Sequence, residues 1–369
     1  MENSIMDIPF VDLAAQYEIV RTDFLRKLDE IGKSGQYILG NECAAFEAEL
    51  AEFCESRFVI TVANGSDALF LILKALGVGP GDEVITAPNS FLASSWVIVA
   101  TGATPKYCDV DSSFNLDPSK LEDAINQRTK AIIPVHLAGI PCQIEEICNV
   151  AVKHGIFVIE DCAQAIGAKF RGRSVGTFGI GGGFSLHPLK NLGVMGDGGF
   201  ITTNDEELAM QIRLLRNHGL RNRDEMMRWG YNSRLDEIQA ALGRLKLKSL
   251  REWNSRVIEI ANTYKNALQT YVQILNVPLD SYSVWHNFLI FTKNRDQLKN
   301  HLLQRGIDTR IHYPIPIHLQ KGHNNEYSQG SFPNAEYQST NSLSLPIYPT
   351  LDNEQVDYVI QNVKSFFES

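Results

Sequence analysis

The spacing of apolar positions changes near residue 58. Before that point Val20, Phe24 and Leu28 recur every four residues, as do Phe46 and Leu50. This is the period of amphipathic helices, and Lys33-Ser34-Gly35 breaks them apart. Beyond it, short β-branched runs alternate with helical stretches. Phe58-Val59-Ile60-Thr61-Val62 predicts a strand, and Asn64-Gly65-Ser66-Asp67 turns it into the helical Ala68-Leu69-Phe70-Leu71-Ile72-Leu73. Glu83-Val84-Ile85-Thr86, Pro105-Lys106-Tyr107-Cys108-Asp109-Val110 and Ala131-Ile132-Ile133-Pro134-Val135 read as further strands. So does Ile156-Phe157-Val158-Ile159, which ends on Glu160-Asp161. Helices are expected over 96–100 and 144–154. Apolar strands alternating with helices predict an α/β fold with a mostly parallel sheet flanked by helices.

The later pattern differs. Phe200-Ile201-Thr202-Thr203 reads as a hairpin-like strand before a helix through Leu215, and Leu235, Ile238, Leu242 and Leu245 mark a long helix joining two domains. After residue 250 the order is helix, strand (Phe288-Leu289-Ile290-Phe291), helix, strand, an irregular segment over 314–333 and a last helix over 355–367. We therefore expect a large cofactor-binding domain over 1–245, with an N-terminal helical segment, and a smaller α+β C-terminal domain over 246–369.

Composition narrows the function classes. Of 369 residues, 44% are hydrophobic and 21% charged, which suits a packed globular core. A net charge of -9 argues against a general nucleic-acid binder, which needs a basic face. No apolar run approaches the roughly 20 residues of a membrane span, and residues 1–9 lack the pattern of a signal peptide. The cysteines at 43, 54, 108, 142, 148 and 162 have no CxxC spacing, so neither a disulfide framework nor a metal site is expected. A cytoplasmic location follows.

The chemistry concentrates in the run from Gly181 to Gly199. It holds Ser185, His187, Pro188 and Lys190 between glycines, and reads as a strand end entering a tight loop. Sites in such sheets lie beyond the carboxyl ends of the strands, where Gly65, Asp161 and the Lys190 loop all fall. Gly65-Ser66-Asp67 opens a helix, so its free N–H groups suit a phosphate, although an ordinary serine cap has the same appearance. Asp161 ends a buried strand and needs a cationic partner: a protonated ring nitrogen or a structural salt bridge. Lys190 is either a solvated charge or a Schiff-base nucleophile. Together the three match the needs of pyridoxal phosphate.

At this point the chain resembles the DegT/DnrJ/EryC1 family of sugar aminotransferases, within the fold type I pyridoxal-phosphate enzymes. The resemblance runs from Ile8-Pro9-Phe10 to Ser344-Leu345-Pro346-Ile347-Tyr348-Pro349. Its most specific pieces are Asn64-Gly65-Ser66-Asp67-Ala68-Leu69, Glu160-Asp161-Cys162-Ala163-Gln164-Ala165, the Ser185 to Gly199 run, and Gly230-Tyr231-Asn232-Ser233-Arg234-Leu235. The resemblance implies pyridoxal 5'-phosphate carried by Lys190, with Asp161 partnering the pyridine nitrogen and Gln164 beside the ring hydroxyl. It implies a phosphate cradle of Gly65, Ser66 and Ser185, completed by Asn232 of a neighbouring subunit in a homodimer with shared sites. Phe91 is the candidate ring-stacking aromatic, with Trp96 its competitor. His187 stands where many relatives have tyrosine, and contacts substrate or packs. The implied substrates are an amino donor, most often L-glutamate, and a ketosugar, in amino-sugar or lipopolysaccharide biosynthesis.

Rival readings are less well supplied. Gly32-Lys33-Ser34 lacks the first glycine of a phosphate loop, since position 27 is Lys27. A serine hydrolase using Ser185 would need glycine at position 187, and a nicotinamide enzyme would need G-x-G-x-x-G. The family's dehydratase branch replaces the lysine with histidine. A regulator that binds pyridoxal phosphate without turning it over is the remaining alternative. The acceptor stays open between a nucleotide-linked ketosugar, aminated at C3 or C4, and an oxidised 3-deoxy-octulosonate. Arg213, Arg216, Arg221, Arg223, Arg228 and Arg234 crowd the region around Asn232, where an anionic substrate could use some of them, Arg234 first.

Overall fold

The computed structural model describes residues 5–323 and 326–368. Its centre is a seven-stranded sheet: β1 (Phe58–Val62), β2 (Glu83–Thr86), β3 (Thr104–Tyr107), β4 (Thr129–Ile133), β5 (Phe157–Asp161), β6 (Gly181–Ser185) and β7 (Gly199–Thr203). The spatial order is β1-β7-β6-β5-β4-β2-β3. Strand β7 pairs antiparallel with both β1 and β6, and the remaining pairs are parallel. This is the α/β, mostly parallel arrangement expected. The helix Ile144–His154 falls where the pattern puts it. The 96–100 helix extends to Ala93–Thr101, and the last helix runs Asn353–Glu368.

The C-terminal part forms a second, antiparallel sheet of β8 (Gln273–Ile274), β9 (Phe288–Phe291) and β10 (Ser342–Leu345), in that order. One buried cluster runs from Ile85, Ile132 and Val158 of the large sheet to Leu289, Ile290, Val356 and Val359 of this layer. The N-terminal segment joins that layer, because Ile8 bridges Ile307 in parallel.

The helix expected from Leu235 is Glu237–Leu247, and the one expected after residue 250 is Leu250–Leu268. Leu235 lies ahead of the first because the neighbouring backbone is engaged elsewhere: Asp236 bridges Ile38, and the Glu237 N–H donates to the Tyr37 carbonyl at 3.0 Å. The Glu237 side chain also works outside its own helix. Gly40 gives the helix Asn41–Cys54 no side-chain cap. Instead the buried Glu237 carboxylate accepts the N–H groups of Gly40 (2.8 Å), Glu42 (2.8 Å) and Cys43 (3.0 Å). A carboxylate at a helix N-terminus satisfies orphan donors and meets the positive end of the dipole.

Among the described residues no helix is long and apolar enough to cross a membrane. Glu237→Ala should lower unfolding stability by about 3 kcal/mol, because three donors lose a charged acceptor away from bulk water. Denaturant unfolding monitored by far-UV circular dichroism checks this. A change below about 0.5 kcal/mol would show that water or another group replaces the carboxylate.

Candidate active site

The carboxyl ends of the parallel strands open on a cavity of about 620 Å³. Its wall gathers residues far apart in sequence: Gly65 and Ser66 after β1, Phe91 and Trp96 after β2, Asp161 at the end of β5, and Ser185, His187 and Lys190 on and after β6. Gln164 also lines it. The C-terminal layer adds His286, His312 and Tyr313.

Close backbone packing places the helix Gly65–Ala75 at this cavity. Strand β6 begins Gly181-Gly182-Gly183, and a Cβ at Gly183 would sit 2.8 Å from Leu69 Cδ2 of that helix. A Cβ at Gly65 would sit 2.7 Å from Ser185 Cβ. Asn64 caps the helix: its side chain accepts the Asp67 N–H at 2.8 Å and its carbonyl the Ala68 N–H at 3.1 Å. The N–H groups of Gly65 and Ser66, in the first turn, lie beyond the reach of intrahelical bonding. They face a wall that holds Ser185, whose Oγ accepts the His187 N–H at 3.2 Å.

Asp161 is buried, and its Oδ1 accepts the Ala163 N–H at 3.1 Å. Among the described residues no side chain donates a hydrogen bond to it. Burial pushes its carboxyl pKa up, opposed by the Ala163 N–H and the charge of Lys190. Its strand is anchored next door. Glu160 accepts the N–H groups of Gly176 (2.7 Å), Phe178 (2.7 Å) and Gly179 (2.9 Å), and faces His136 Nε2 at 3.0 Å. Because the Cys142 N–H donates to His136 Nδ1, that nitrogen is an acceptor and the N–H of the ring is Nε2, toward Glu160. Both ring nitrogens of this fully buried histidine are thereby used.

Lys190 is half-buried by surface area but walled in by protein. Desolvation lowers its pKa to about 8 against the opposing pull of Asp161. A minority of its amine, far more than for an ordinary lysine, is therefore neutral near physiological pH, the form that attacks carbonyls. The same desolvation and the Lys190 charge push His312 down to about 4 and His286 well below its usual value. Both rings are neutral beside the lysine. Gln164 accepts the Ala138 N–H at 2.6 Å and donates a long bond, 3.4 Å, to the Tyr313 hydroxyl.

The structure brings together Gly65, Ser66, Phe91, Asp161, Gln164, Ser185, His187 and Lys190, and both aromatic candidates, Phe91 and Trp96, line the cavity. It does not bring Asn232 or Arg234 to their own chain's cavity. Asn232 is solvent-exposed and bridges Asn217, and Arg234 donates to Asn217 Oδ1 at 3.1 Å. Other arginines of that region are engaged locally. Arg216 binds Glu47 at 2.5 Å and the Thr61 carbonyl at 2.8 Å, and Arg228 binds Gln211 at 2.5 Å. Sequence reasoning missed His286, His312 and Tyr313, because no periodicity carries them to a site set by the large sheet. The polar His286-Asn287 step before an apolar strand and the His312-Tyr313-Pro314 run were the available signals.

The DegT/DnrJ/EryC1/StrS aminotransferase family matches the chain over residues 18–364. A dTDP-3-amino-3,4,6-trideoxy-alpha-D-glucose transaminase of Streptomyces venezuelae is 43% identical over 98% of this chain and 96% of its own length. A pleiotropic regulatory protein of Geobacillus stearothermophilus is 42% identical over 98% and 99%. The X-ray structure of S. venezuelae DesV in complex with a ketimine intermediate superposes with a TM-score of 0.96 at 42% identity, covering 98% of this chain and 99% of that one. The central sheet, the gathered strand ends and these similarities over nearly the full length lead to one conclusion: the chain belongs to the DegT/DnrJ/EryC1/StrS aminotransferase family, and is a transaminase with that family's fold.

Proposed function

We propose that the protein uses pyridoxal 5'-phosphate to move an amino group from L-glutamate to a nucleotide-linked ketosugar, at C3 or C4, in cytoplasmic amino-sugar biosynthesis that feeds surface polysaccharide. The observation that carries the reading is the meeting in one cavity of a lysine with a pKa of about 8, a buried carboxylate and an open helix N-terminus. The residues fit the cofactor. Asp161 is a buried carboxyl group that no described side chain satisfies, which suits a protonated ring nitrogen as its partner. The Gly65 and Ser66 N–H groups and the Ser185 hydroxyl suit a phosphate dianion. Phe91 or Trp96 supplies an aromatic face, and Gln164 an amide for the ring hydroxyl. When bound, the cofactor supplies an aldehyde for the lysine amine and an electron sink for the pair released at the substrate carbon.

The chain's own residues then have distinct work. Lys190 Nζ takes the proton from the donor carbon and returns one to the sugar carbon, which its near-neutral pKa allows. Asp161 keeps its partner cation protonated by staying ionised. The neutral rings of His286 and His312, with Tyr313, offer hydrogen bonds to a hydroxylated ring without competing with Lys190 for charge. On this reading residues 1–245 hold the cofactor and residues 246–369 close the acceptor side. The S. venezuelae transaminase supports a nucleotide-linked acceptor over a free oxidised octulosonate. The alternative of a regulator that only binds the cofactor leaves the depressed pKa of Lys190 without a use. Asn232, exposed and outside its own cavity, serves the phosphate of the neighbouring subunit in a homodimer.

Four experiments test these assignments. Borohydride treatment of the cofactor-loaded protein should fix the label to the peptide containing Lys190. In cofactor-free protein, capture of added pyridoxal phosphate should speed up as pH rises through about 8, where the amine loses its proton. Label on another lysine would overturn the assignment. Asp161→Asn preserves the acceptor for Ala163 N–H but cannot hold a ring proton, so the L-glutamate half-reaction should slow by about 10²-fold or more. Turnover near wild type would make Asp161 structural. Finally, Lys190→Ala and Asn232→Ala homodimers, each poor at limiting cofactor, should regain activity when unfolded and refolded together. One site of a mixed dimer then receives an intact Lys190 and an intact Asn232. Heterodimers without recovery would confine Asn232 to capping its own chain.

A further inference from the structure

Two walls of the cavity face each other across the joint between the large sheet and the C-terminal layer. One carries Phe91, on the loop after β2, and the other Tyr313, and their ring centroids are 5.9 Å apart. Phe91 is 58% exposed, so its own packing does not fix its loop. What joins the walls is a chain of amide hydrogen bonds beneath them. Asn89 Nδ2 donates to the Phe114 carbonyl at 2.8 Å and to Gln338 Oε1 at 2.6 Å. Gln338 Nε2 donates in turn to the His312 carbonyl at 3.1 Å. Asn89 is 2% exposed and Gln338 0%. Gln338 sits on the helix Pro333–Asn341, which lines no part of the cavity.

Burying two primary amides gains little over a well-packed apolar pair, because their desolvation nearly cancels their bonds. Their distinct contribution is direction. A hydrogen bond weakens steeply with angle, so this chain fixes where Asn89 stands relative to His312, whereas an apolar contact tolerates sliding. Asn89 is two residues from Phe91, and His312 adjoins Tyr313. A further backbone bond crosses the joint beside them, from Ile317 N–H to the Pro88 carbonyl at 2.7 Å.

We propose that Gln338, with Asn89, is a positioning residue that sets the gap between the Phe91 and Tyr313 walls and thereby the fit of the sugar acceptor. The proposal rests on the ketosugar aminotransferase reading above. Of the residues assigned to the cofactor, only the aromatic face, Phe91 or Trp96, lies after β2; the others are carried by β1, β5, β6 and their loops, so the acceptor senses Gln338 more strongly than the cofactor does.

The test compares wild type with Gln338→Met, which keeps the volume and removes both bonds. Gln338→Glu is the second variant, retaining an acceptor for Asn89 and losing the donor to His312. Amide hydrogen exchange followed by mass spectrometry should show segments 88–92 and 311–317 exchanging at least about tenfold faster in Gln338→Met, with the helix Asn353–Glu368 unchanged. Kinetics then use the fastest wild-type substrate from a panel of dTDP- and UDP-linked 3- and 4-ketohexoses. Its KM should rise about tenfold or more, while the pyridoxal phosphate Kd and the L-glutamate half-reaction stay within about threefold, as expected of a misplaced wall. Unchanged exchange with unchanged acceptor KM overturns the proposal, and so does an equal loss of cofactor affinity. Should Gln338→Met fail to fold, the same readouts on Gln338→Glu decide. If no panel member is turned over by wild type, the ketosugar reading fails; the exchange result still judges the coupling.

Discussion

The site depends on how closely one helix approaches one strand. Strand β6 begins with three glycines, and the absence of side chains there lets the helix Gly65–Ala75 lie directly against it. The helix N-terminus thereby reaches Ser185 and stands within one cavity of Lys190 and Asp161. Glycine in a strand interior costs backbone entropy and forgoes a packing side chain, so its usual justification is a close backbone approach. Here that approach brings a dipole end, a hydroxyl and a lysine together. A single added methyl group at Gly65 or Gly183 would push against Ser185 or Leu69 and move the N-terminus of the helix away.

Electrostatics fix the rest of the cavity. Desolvation raises the Asp161 carboxyl and lowers the Lys190 ammonium, so each group is held closer to its neutral form than it would be in water. The strand that carries Asp161 is anchored beside it. Glu160 ties down three N–H groups of the 176–179 turn, and His136 spends both ring nitrogens on Glu160 and Cys142. Asp161 therefore stands on a strand end that has no slack, next to a second buried carboxylate that is entirely used.

The C-terminal layer contributes neutrality and shape. His286, His312 and Tyr313 arrive from segments that share a continuous apolar core with the large sheet, and burial beside Lys190 keeps the two histidines uncharged. The wall they form adds hydrogen-bonding groups without adding a second cation. The loop holding Asn232 and Arg234 is different in kind. It pairs with residues 215–218 on the outside, and Ser233 Oγ takes the Ala63 N–H at 3.2 Å just past the end of β1.

Much of this was legible in the chain itself, for local reasons. The strands from Phe58 to Asp161 are short apolar runs between turn residues, so their number and order follow from period alone. Lys190, Asp161 and Gly65 could be singled out because each sits at or past a strand end in a sheet whose sites lie at that edge, and Ser185 through the family resemblance. Other features have no local signature. Asp236 and Glu237 are drawn toward Tyr37 and Ile38, which delays the helix expected from Leu235. The cap of the helix Asn41–Cys54 comes from a carboxylate 195 residues along from Glu42. His286, His312 and Tyr313 join the cavity only because an antiparallel layer packs across the ends of a parallel one. The depressed pKa of Lys190 likewise depends on what surrounds it. Period and residue type act over a few neighbouring positions, and so they set the elements and the residues able to react. Distance, burial and charge are properties of segments meeting in space, and only the tertiary structure decided them.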